Sequence, residues 1–184
     1  EHGINYKVSE MKKAIKLGIR YVIQSQEDSG GWYGNWGICF TYGTWFALEA
    51  LAAYKRYFST HTSIEKAIQK GQAFLHQHVL ADGGWGESYV SCVQKEYVSL
   101  NKPQVVQTAW AVLGLMAVGS SDDIYIKRGI AVILNLQEES GDWPQQAISG
   151  VFNHNCMITY TSYRNVFPLW ALARYKHQKE RIKN

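Results

Sequence analysis

Three segments of this chain superpose without gaps, and each joins a glycine to a tryptophan fourteen residues later. The segments run from Gly18 to Trp32, from Gly71 to Trp85 and from Gly129 to Trp143. Repetition at a fixed period predicts an array of similar units rather than one irregular domain. The Trp-to-Trp intervals give a unit of 53 to 58 residues, so we place three units at about 12–58, 64–118 and 123–176.

Each unit has the pattern of a helical hairpin. Before each tryptophan, apolar residues recur at helical spacing, and a Ser-Gly or Asp-Gly turn is expected to end that helix. After a polar loop, a second segment follows that is apolar on all sides, which predicts burial on both faces. Its tryptophans, Trp45, Trp110 and Trp170, are therefore expected in the core.

Amphipathic first helices and apolar second helices are typical of a ring of hairpins with an outer and an inner layer. A solenoid of stacked helix pairs is the alternative, because it also buries one continuous core. The long segments 86–104 and 144–158 favour a functional protein over a plain scaffold. We thus predict an all-α fold of three helical hairpins.

A glutamine precedes two of the repeated tryptophans by six residues, and its amide can reach a helix end or the loop backbone while the indole packs beside it. In the second unit this position is Val79, so the contact that the glutamine amide makes in the other units is expected to be weaker there or made by other groups. The residues assigned to this structural repeat are Gln26, Trp32, Trp85, Gln137 and Trp143.

At these residues the chain resembles a known family, since the repeats look like the Gln-Trp motifs of the squalene and oxidosqualene cyclases, the triterpene cyclases. Residues 32–43, WYGNWGICFTYG, are similar to a signature segment of that family, although Ser29-Gly30-Gly31 stands where Asp-Gly-Ser is usual. Residues 150–168, GVFNHNCMITYTSYRNVFP, resemble the C-terminus of eukaryotic oxidosqualene cyclases, in the branch of the lanosterol and cycloartenol synthases.

The resemblance implies an (α/α)6 barrel, of which three hairpins would form about half. It also implies cationic cyclisation of 2,3-oxidosqualene, in which a general-acid Asp protonates the epoxide and aromatic faces stabilise the cations. A ring face attracts a cation by roughly 0.5 to 2 kcal/mol and forms no bond with it. By motif position, Trp36 and Phe152 match the cation-stabilising rings, Tyr160 and Tyr163 the cavity tyrosines, and Cys156 and Ile158 neighbouring wall positions.

The general acid of this family lies in an Asp-Cys-Thr-Ala-Glu segment or an Asp-rich one, and neither surrounds the aspartates of this chain. These are Asp28, Asp82, Asp122, Asp123 and Asp142. We therefore assign no catalytic residue to the chain and expect it to be inactive alone. As a C-terminal half-barrel, it would need the N-terminal part of the cyclase as its partner.

Other features constrain cofactors, partners and location. The net charge of +4 equals the charge of residues 174–184, so the rest is neutral and nucleic-acid binding is not indicated. We interpret this basic tail as solvated. The family implies a membrane-surface partner and a peripheral or monotopic location at the endoplasmic reticulum membrane or a lipid droplet. No cofactor is expected, and His76-x-His78 lacks a third metal ligand.

The three cysteines, Cys39, Cys92 and Cys156, are widely spaced, which predicts no disulfide framework. Glu49 lies on an apolar helix and is expected to have a hydrogen-bonded structural role. Without the resemblance, Trp36 and Phe152 are core residues or loop anchors. Two alternatives to an enzyme part stay open: an inactive remnant that binds a triterpene, and an α-helical scaffold. A prenyltransferase β-subunit is disfavoured, because no Asp/Cys/His zinc set is visible.

Overall fold

The computed structural model describes residues 6–59, 61–119, 123–153 and 155–183, and these form seven α-helices and one two-stranded antiparallel sheet. The elements are α1 (Val8–Gln24), α2 (Cys39–Tyr57), α3 (Thr62–Gln77), α4 (Val90–Gln94), α5 (Val105–Val118), α6 (Ile124–Asn135), β1 (Gly150–Phe152), β2 (Cys156–Ile158) and α7 (Tyr163–Lys183). Helices α1 and α2, α3 and α5, and α6 and α7 are the three hairpins.

The second helices of the hairpins form one layer, in which α5 lies between α2 and α7. Every residue of α5 from Val105 to Met116 is buried, because α2 and α7 flank this helix within the layer and the outer helices α3 and α6 also cover it. The prediction of burial on both faces is wrong for α7. Leu169 and Trp170 are 56% and 42% exposed, since no described element covers that side of the helix.

The glycine turns are not where the outer helices end. Helix α1 ends at Gln24, and Gly30 lies six residues further on, in a separate turn with a φ of 92°. In that turn the Gly30 amide donates to the Glu27 carbonyl (2.8 Å), and the Glu27 amide donates to the Gly31 carbonyl (2.9 Å). The same pair of bonds recurs at Leu80–Gly84 and at Glu138–Asp142, so the positive φ of glycine serves this turn rather than the helix terminus.

Each repeated tryptophan ties its turn back to its own outer helix. The indole Nε1 donates to the carbonyl ten residues earlier, which is that of Val22, Leu75 or Ile133, at 2.6 to 2.9 Å. These carbonyls lie in the last turns of the outer helices, where intrahelical partners run out. All three indoles are almost fully buried, at 4%, 0% and 1% exposure.

The glutamine amides add bonds across the units. Gln26 Nε2 donates to the Gly30 carbonyl (2.8 Å) and to the Ala67 carbonyl of α3 (2.9 Å). Gln137 Nε2 donates to the Gly141 carbonyl in its own turn (2.8 Å). In the second unit, where Val79 replaces the glutamine, the Arg128 guanidinium of α6 donates to the Ala81 carbonyl. In the second unit, Arg128 of the following hairpin therefore makes the turn contact that a glutamine amide makes in the other two units.

Glycines in the outer helices receive the tryptophan of the preceding unit. A methyl group at Gly71 would lie 2.8 Å from the Trp32 ring, and one at Gly129 would lie 3.0 Å from the Trp85 ring and 2.5 Å from Val112 Cγ2. At the equivalent Gly18, no heavy atom of the described residues beyond its own helix backbone and chain neighbours lies within 4 Å of such a methyl group. Neighbouring hairpins thus contact each other where the tryptophan ring of one hairpin packs against the glycine of the next outer helix.

Two alanine substitutions are expected to change stability in opposite directions. Gly129→Ala should cost about 1 to 3 kcal/mol, because the added methyl group overlaps Val112 and the Trp85 ring. Gly18→Ala should stabilise α1 by about 0.5 to 1 kcal/mol, since the site is open and alanine favours the helix. Urea unfolding of both variants beside the parent chain measures the difference, and shifts of the same sign would contradict this packing.

The basic C-terminal residues continue α7 as far as Lys183. The Arg174 guanidinium donates to the Glu49 carboxylate and to the Leu113 carbonyl (3.3 Å), and Gln178 Nε2 donates to the Met116 carbonyl (3.1 Å). The interpretation of a solvated tail is therefore wrong for Arg174. Glu49 also accepts from Trp45 Nε1 (3.1 Å), so this carboxylate joins α2 to α7.

Cys39 and Cys92 form a disulfide with a Cα–Cα distance of 6.0 Å. The expectation of no disulfide is wrong for this pair, because α4 folds back onto the first turn of α2 and closes a gap of 53 residues. Cys156 is a free, exposed thiol. In the described part of the chain, no helix is long and apolar enough to cross a bilayer, and no three His, Cys, Asp or Glu side chains are grouped to hold a metal ion.

Candidate functional site

Trp36 and Phe152 form a ring pair at the surface, with ring centroids 5.7 Å apart and planes inclined at 47°. Backbone bonds set this spacing. The Val151 amide donates to the Trp36 carbonyl, and the Ile38 amide donates to the Ser149 carbonyl, both at 3.0 Å. The strand that carries Phe152 is thus fixed beside the loop that carries Trp36. Trp36 and Phe152 remain 52% and 44% exposed, so the described residues cover only about half of each side chain.

The wall positions follow from the register of a small β-hairpin that the sequence did not predict. Cys156 lies opposite Phe152, and Ile158 lies opposite Gly150. The turn between the strands includes Asn153 with a φ of 50°, a conformation that asparagine tolerates better than most residues. The Cys156 side chain is exposed and that of Ile158 is half-buried.

Two glycines join the ring pair to a group of tyrosines. Gly37 and Gly150 pair in an antiparallel bridge. A methyl group on Gly37 would lie 2.4 Å from the Tyr42 ring, and one on Gly150 would lie 2.3 Å from the Tyr160 ring. The bare glycines therefore let both rings pack against the bridge, directly behind the backbone that carries Trp36 and Phe152.

Tyr163 completes this group, with its ring centroid 4.6 Å from that of Tyr160 and 5.8 Å from that of Trp110. Burial, followed by the nearby Tyr163 and Tyr160, raises the pKa of Tyr42 to about 12. Burial and Tyr160 also raise the pKa of Tyr163. The phenols of Tyr42 and Tyr163 are therefore neutral at physiological pH and present ring faces and hydroxyl groups rather than anions.

Tyr42 was not singled out from the sequence, although it lies in the signature segment. Its ring centroid is 5.1 Å from that of Trp110 and 4.8 Å from that of Phe46. It also borders an open apolar cleft of about 390 Å³, lined in part by Gly43, Phe46 and Ala47 of α2. The spacing of Tyr42 along an apolar helix gave no signal, because core and cavity tyrosines have the same pattern there.

A second residue that sequence reasoning missed is Glu87, whose side chain is fully buried. Its Oε1 accepts hydrogen bonds from the amides of Cys39 (3.1 Å) and Phe40 (3.0 Å). Its Oε2 accepts from the amide and the hydroxyl group of Thr41, both at 2.8 Å. Burial raises the pKa of Glu87, and these hydrogen bonds oppose that effect. The carboxylate thus holds the first turn of α2, immediately after the Trp36 loop.

A buried phenol lies beside this carboxylate. Burial and the charge of Glu87 raise the pKa of Tyr97, which therefore stays protonated. Its ring centroid is 3.9 Å from that of His78, and burial lowers the pKa of that imidazole.

The chain matches the family model described as the squalene-hopene cyclase C-terminal domain over residues 3–177. Lanosterol synthase from Mus musculus is 45% identical over 177 residues, which cover 96% of this chain and 24% of the mouse protein. Cycloartenol synthase from Dictyostelium discoideum is 46% identical over 176 residues, or 95% of this chain and 24% of that protein. The chain thus spans about a quarter of the length of these relatives.

A solved structure with a similar fold is ent-copalyl diphosphate synthase from Streptomyces platensis. The two structures superpose with a TM-score of 0.66 at 18% identity, over 91% of this chain and 29% of the other. This likeness concerns the fold alone. It confirms the helical (α/α)-barrel architecture that the hairpin pattern and the resemblance predicted.

Proposed function

This chain belongs to the family of the squalene-hopene cyclase C-terminal domain, as the resemblance of its sequence motifs implied, and from that premise we propose that it is one part of an oxidosqualene cyclase. In this proposal the whole enzyme converts 2,3-oxidosqualene into a sterol-type triterpene, and this chain supplies aromatic cavity wall. The observation that carries the proposal is the open ring pair of Trp36 and Phe152, 5.7 Å apart.

Ring faces suit the chemistry of such a reaction. A carbocation on a folding polyene would be trapped by a nucleophilic carboxylate, whereas a ring face stabilises it without forming a bond. Trp36 and Phe152 would face the earlier cations of the reaction, and the rings of Tyr42, Tyr160 and Tyr163 would line the path of later ones. Cys156 and Ile158, on the same β-hairpin as Phe152, would complete the wall.

The general acid is proposed to come from another segment of the enzyme, because three of the described aspartates already have local structural partners. Asp82 accepts from the Gly84 amide, Asp123 accepts from the Tyr125 amide at the start of α6, and Asp142 pairs with Arg164. Asp28 is an exposed residue of the first glycine turn, and Asp122 lies outside the described residues. The proton that opens the epoxide is therefore assigned to the N-terminal part of the cyclase.

That N-terminal part is also the proposed structural partner of this chain. Gly18 occupies the same repeat position as Gly71 and Gly129, each of which receives a tryptophan from the preceding hairpin. We propose that a tryptophan of a preceding hairpin likewise packs on Gly18. In the assembled enzyme, Gly18→Ala should then destabilise rather than stabilise the fold.

The membrane surface is a further part of this proposal, at the endoplasmic reticulum or a lipid droplet. Its support is the substrate itself, since 2,3-oxidosqualene is a hydrocarbon chain with one polar epoxide and partitions into lipid. An enzyme that works on such a substrate gains from a peripheral or monotopic position, where the substrate is concentrated.

A chimera tests the proposed function. This chain would replace the matching C-terminal quarter of mouse lanosterol synthase, to which it is 45% identical. We expect the chimera to convert 2,3-oxidosqualene into cyclic triterpene, measured by gas chromatography and mass spectrometry, and this chain alone to give no product. Turnover by this chain alone would contradict the assignment of the acid to another segment.

The same experiment separates the alternatives. A chimera that folds, as judged by circular dichroism and size-exclusion chromatography, but gives no product would contradict the enzyme role. If it still bound a triterpene, and Trp36→Ala weakened that binding, the chain would be a lipid-binding remnant. If the folded chimera bound none, an α-helical scaffold would be the remaining interpretation.

A further inference from the structure

The first turn of α2 begins at Cys39 without a capping side chain of its own, because its N-cap residue is Ile38. The leading amides of a helix have no intrahelical acceptors and carry partial positive charge. In this chain one carboxylate, that of Glu87 in the second hairpin, accepts from three successive amides, those of Cys39, Phe40 and Thr41, at 2.8 to 3.1 Å. The residues are 46 to 48 positions apart in sequence, so this is a tertiary contact rather than a local cap.

Glu87 is itself held in place from α5. Its amide donates to Gln107 Oε1 (2.7 Å), and Gln107 Nε2 donates to the Glu87 carbonyl (2.8 Å). Gln107 is fully buried on the central helix of the inner layer. The carboxylate is therefore a fixed point relative to the core and is not a mobile loop side chain.

Trp36 is three residues before the first amide that Glu87 holds. Between them, the Ile38 amide donates to the Ser149 carbonyl, and the Trp36 carbonyl accepts from the Val151 amide, both at 3.0 Å. The segment from Trp36 to Cys39 is thus attached to the β1 side through Trp36 and Ile38. At its other end Cys39 is tied to α4 by the Cys39–Cys92 disulfide and to Glu87 by its amide. The disulfide fixes only the position of Cys39, whereas Glu87 orients the amides of Cys39, Phe40 and Thr41. Loss of the Glu87 bonds is therefore expected to change the orientation of the first turn of α2 and with it the place of the Trp36 loop relative to Phe152.

We propose that Glu87 is a positioning residue, which sets the place of the Trp36 ring by holding the first turn of α2. This inference rests on the proposed function in assigning a catalytic use to Trp36. Glu87 does not touch the substrate in this proposal and acts only through the backbone of residues 36–41. An isosteric amide at this position keeps the volume, but in either orientation it places an NH2 group against at least one of the backbone amides of residues 39–41 in place of an acceptor oxygen.

The test compares two carboxylates that each accept from amides at a helix start. In the active chimera, Glu87→Gln removes one of the two acceptor oxygens that face α2, and Asp123→Asn alters the contact to Tyr125 at the start of α6, a helix that carries no ring of the site. We expect Glu87→Gln to lower kcat more than twofold, but by no more than Trp36→Ala does, with KM changed less than twofold, and Asp123→Asn to leave kcat within twofold. Equal effects of the two variants on kcat would overturn the proposal.

A double variant shows whether Glu87 acts through the ring. In a Trp36→Ala chimera, a further Glu87→Gln substitution should lower kcat less than twofold, because the ring to be positioned is already absent. If the decrease in kcat of the double variant equals the product of the decreases in the two single variants, Glu87 acts independently of Trp36, and this result would overturn the proposal. A general loss of folding would appear as such a product.

A spectroscopic measurement keeps this inference separate from the proposed function. The chimera would be labelled with 5-fluorotryptophan, and the ¹⁹F signal of Trp36 would be assigned from its loss in Trp36→Phe. We expect Glu87→Gln to shift or broaden that signal and Asp123→Asn to leave it unchanged. If the chimera is inactive, the proposed function fails, but the ¹⁹F signal of Trp36 can still be measured. An unchanged Trp36 signal in Glu87→Gln would then overturn the positioning role by itself.

Discussion

Trp85→Ala is expected to lower the free energy of unfolding of this chain by about 3 to 5 kcal/mol, which is a large part of the 5 to 15 kcal/mol typical of a domain. The Trp85 side chain is fully buried, and its ring packs against the outer helix of the next hairpin at Gly129. Its Nε1 donates to the Leu75 carbonyl at 2.8 Å, and that carbonyl would lose this partner. Truncation thus opens a cavity at the junction of two hairpins.

Thermal unfolding followed by far-ultraviolet circular dichroism measures this loss. For a chain of this size we expect Tm to fall by about 6 to 20 °C. Trp85→Phe should give a smaller fall, because it keeps much of the ring contact and loses the indole hydrogen bond. Trp170→Ala is the matched control, since that ring is 42% exposed, and it should cost about 1 kcal/mol or less. Equal falls for Trp85→Ala and Trp170→Ala would contradict the different packing of these two rings.

The repeat in the sequence predicted most of the fold because its signals are local. The fourteen-residue interval from Gly129 to Trp143 contains an outer helix end, a turn and an indole, and all of these interact with one another. The apolar run of α5 likewise predicted the central buried helix. An apolar run predicts burial correctly when other helices cover the element on both sides, as α2 and α7 cover α5.

The same reasoning gave wrong results where an inner helix is covered on one side only or where a contact is distant in sequence. Residues 166–173 of helix α7 form an apolar run like that of α5, yet Trp170 is exposed. An apolar run shows that a surface can be buried, but it does not show whether another element covers it. The Cys39–Cys92 pair was missed because nothing in a 53-residue interval indicates that α4 folds back onto α2.

For the candidate site, sequence motifs selected Trp36 and Phe152 but could not indicate how far apart they lie. Their spacing depends on two backbone hydrogen bonds between the Trp36 loop and β1, and backbone groups leave no signature in the sequence. Glu87 was missed for the same reason, since its partners are chiefly main-chain amides. The available signal was a carboxylate two residues after a structural tryptophan, where Gly34 and Gln145 occupy the equivalent positions of the other units.

The second large effect is expected from the ring pair itself, in the chimera with mouse lanosterol synthase. Trp36→Ala and Phe152→Ala should each lower kcat by about 2- to 30-fold, the equivalent of roughly 0.5 to 2 kcal/mol of cation stabilisation. Both rings are about half exposed in this chain, so their removal should shift Tm by no more than about 2 °C. Activity and stability are thereby separated, which is the reverse of the pattern expected for Trp85.

The controls concern the ring face rather than bulk. Trp36→Phe retains an aromatic face and should recover most of the kcat that Trp36→Ala loses, whereas Trp36→Leu retains apolar volume without a face and should not. Tyr57→Ala removes a ring that is 71% exposed at the far end of α2, and kcat should stay within twofold. Gas chromatography with mass spectrometry would also show whether the alanine variants release incompletely cyclised products. A leucine side chain fills space but offers no ring face to stabilise a cation. Full activity in the leucine variant would therefore mean that Trp36 only fills space.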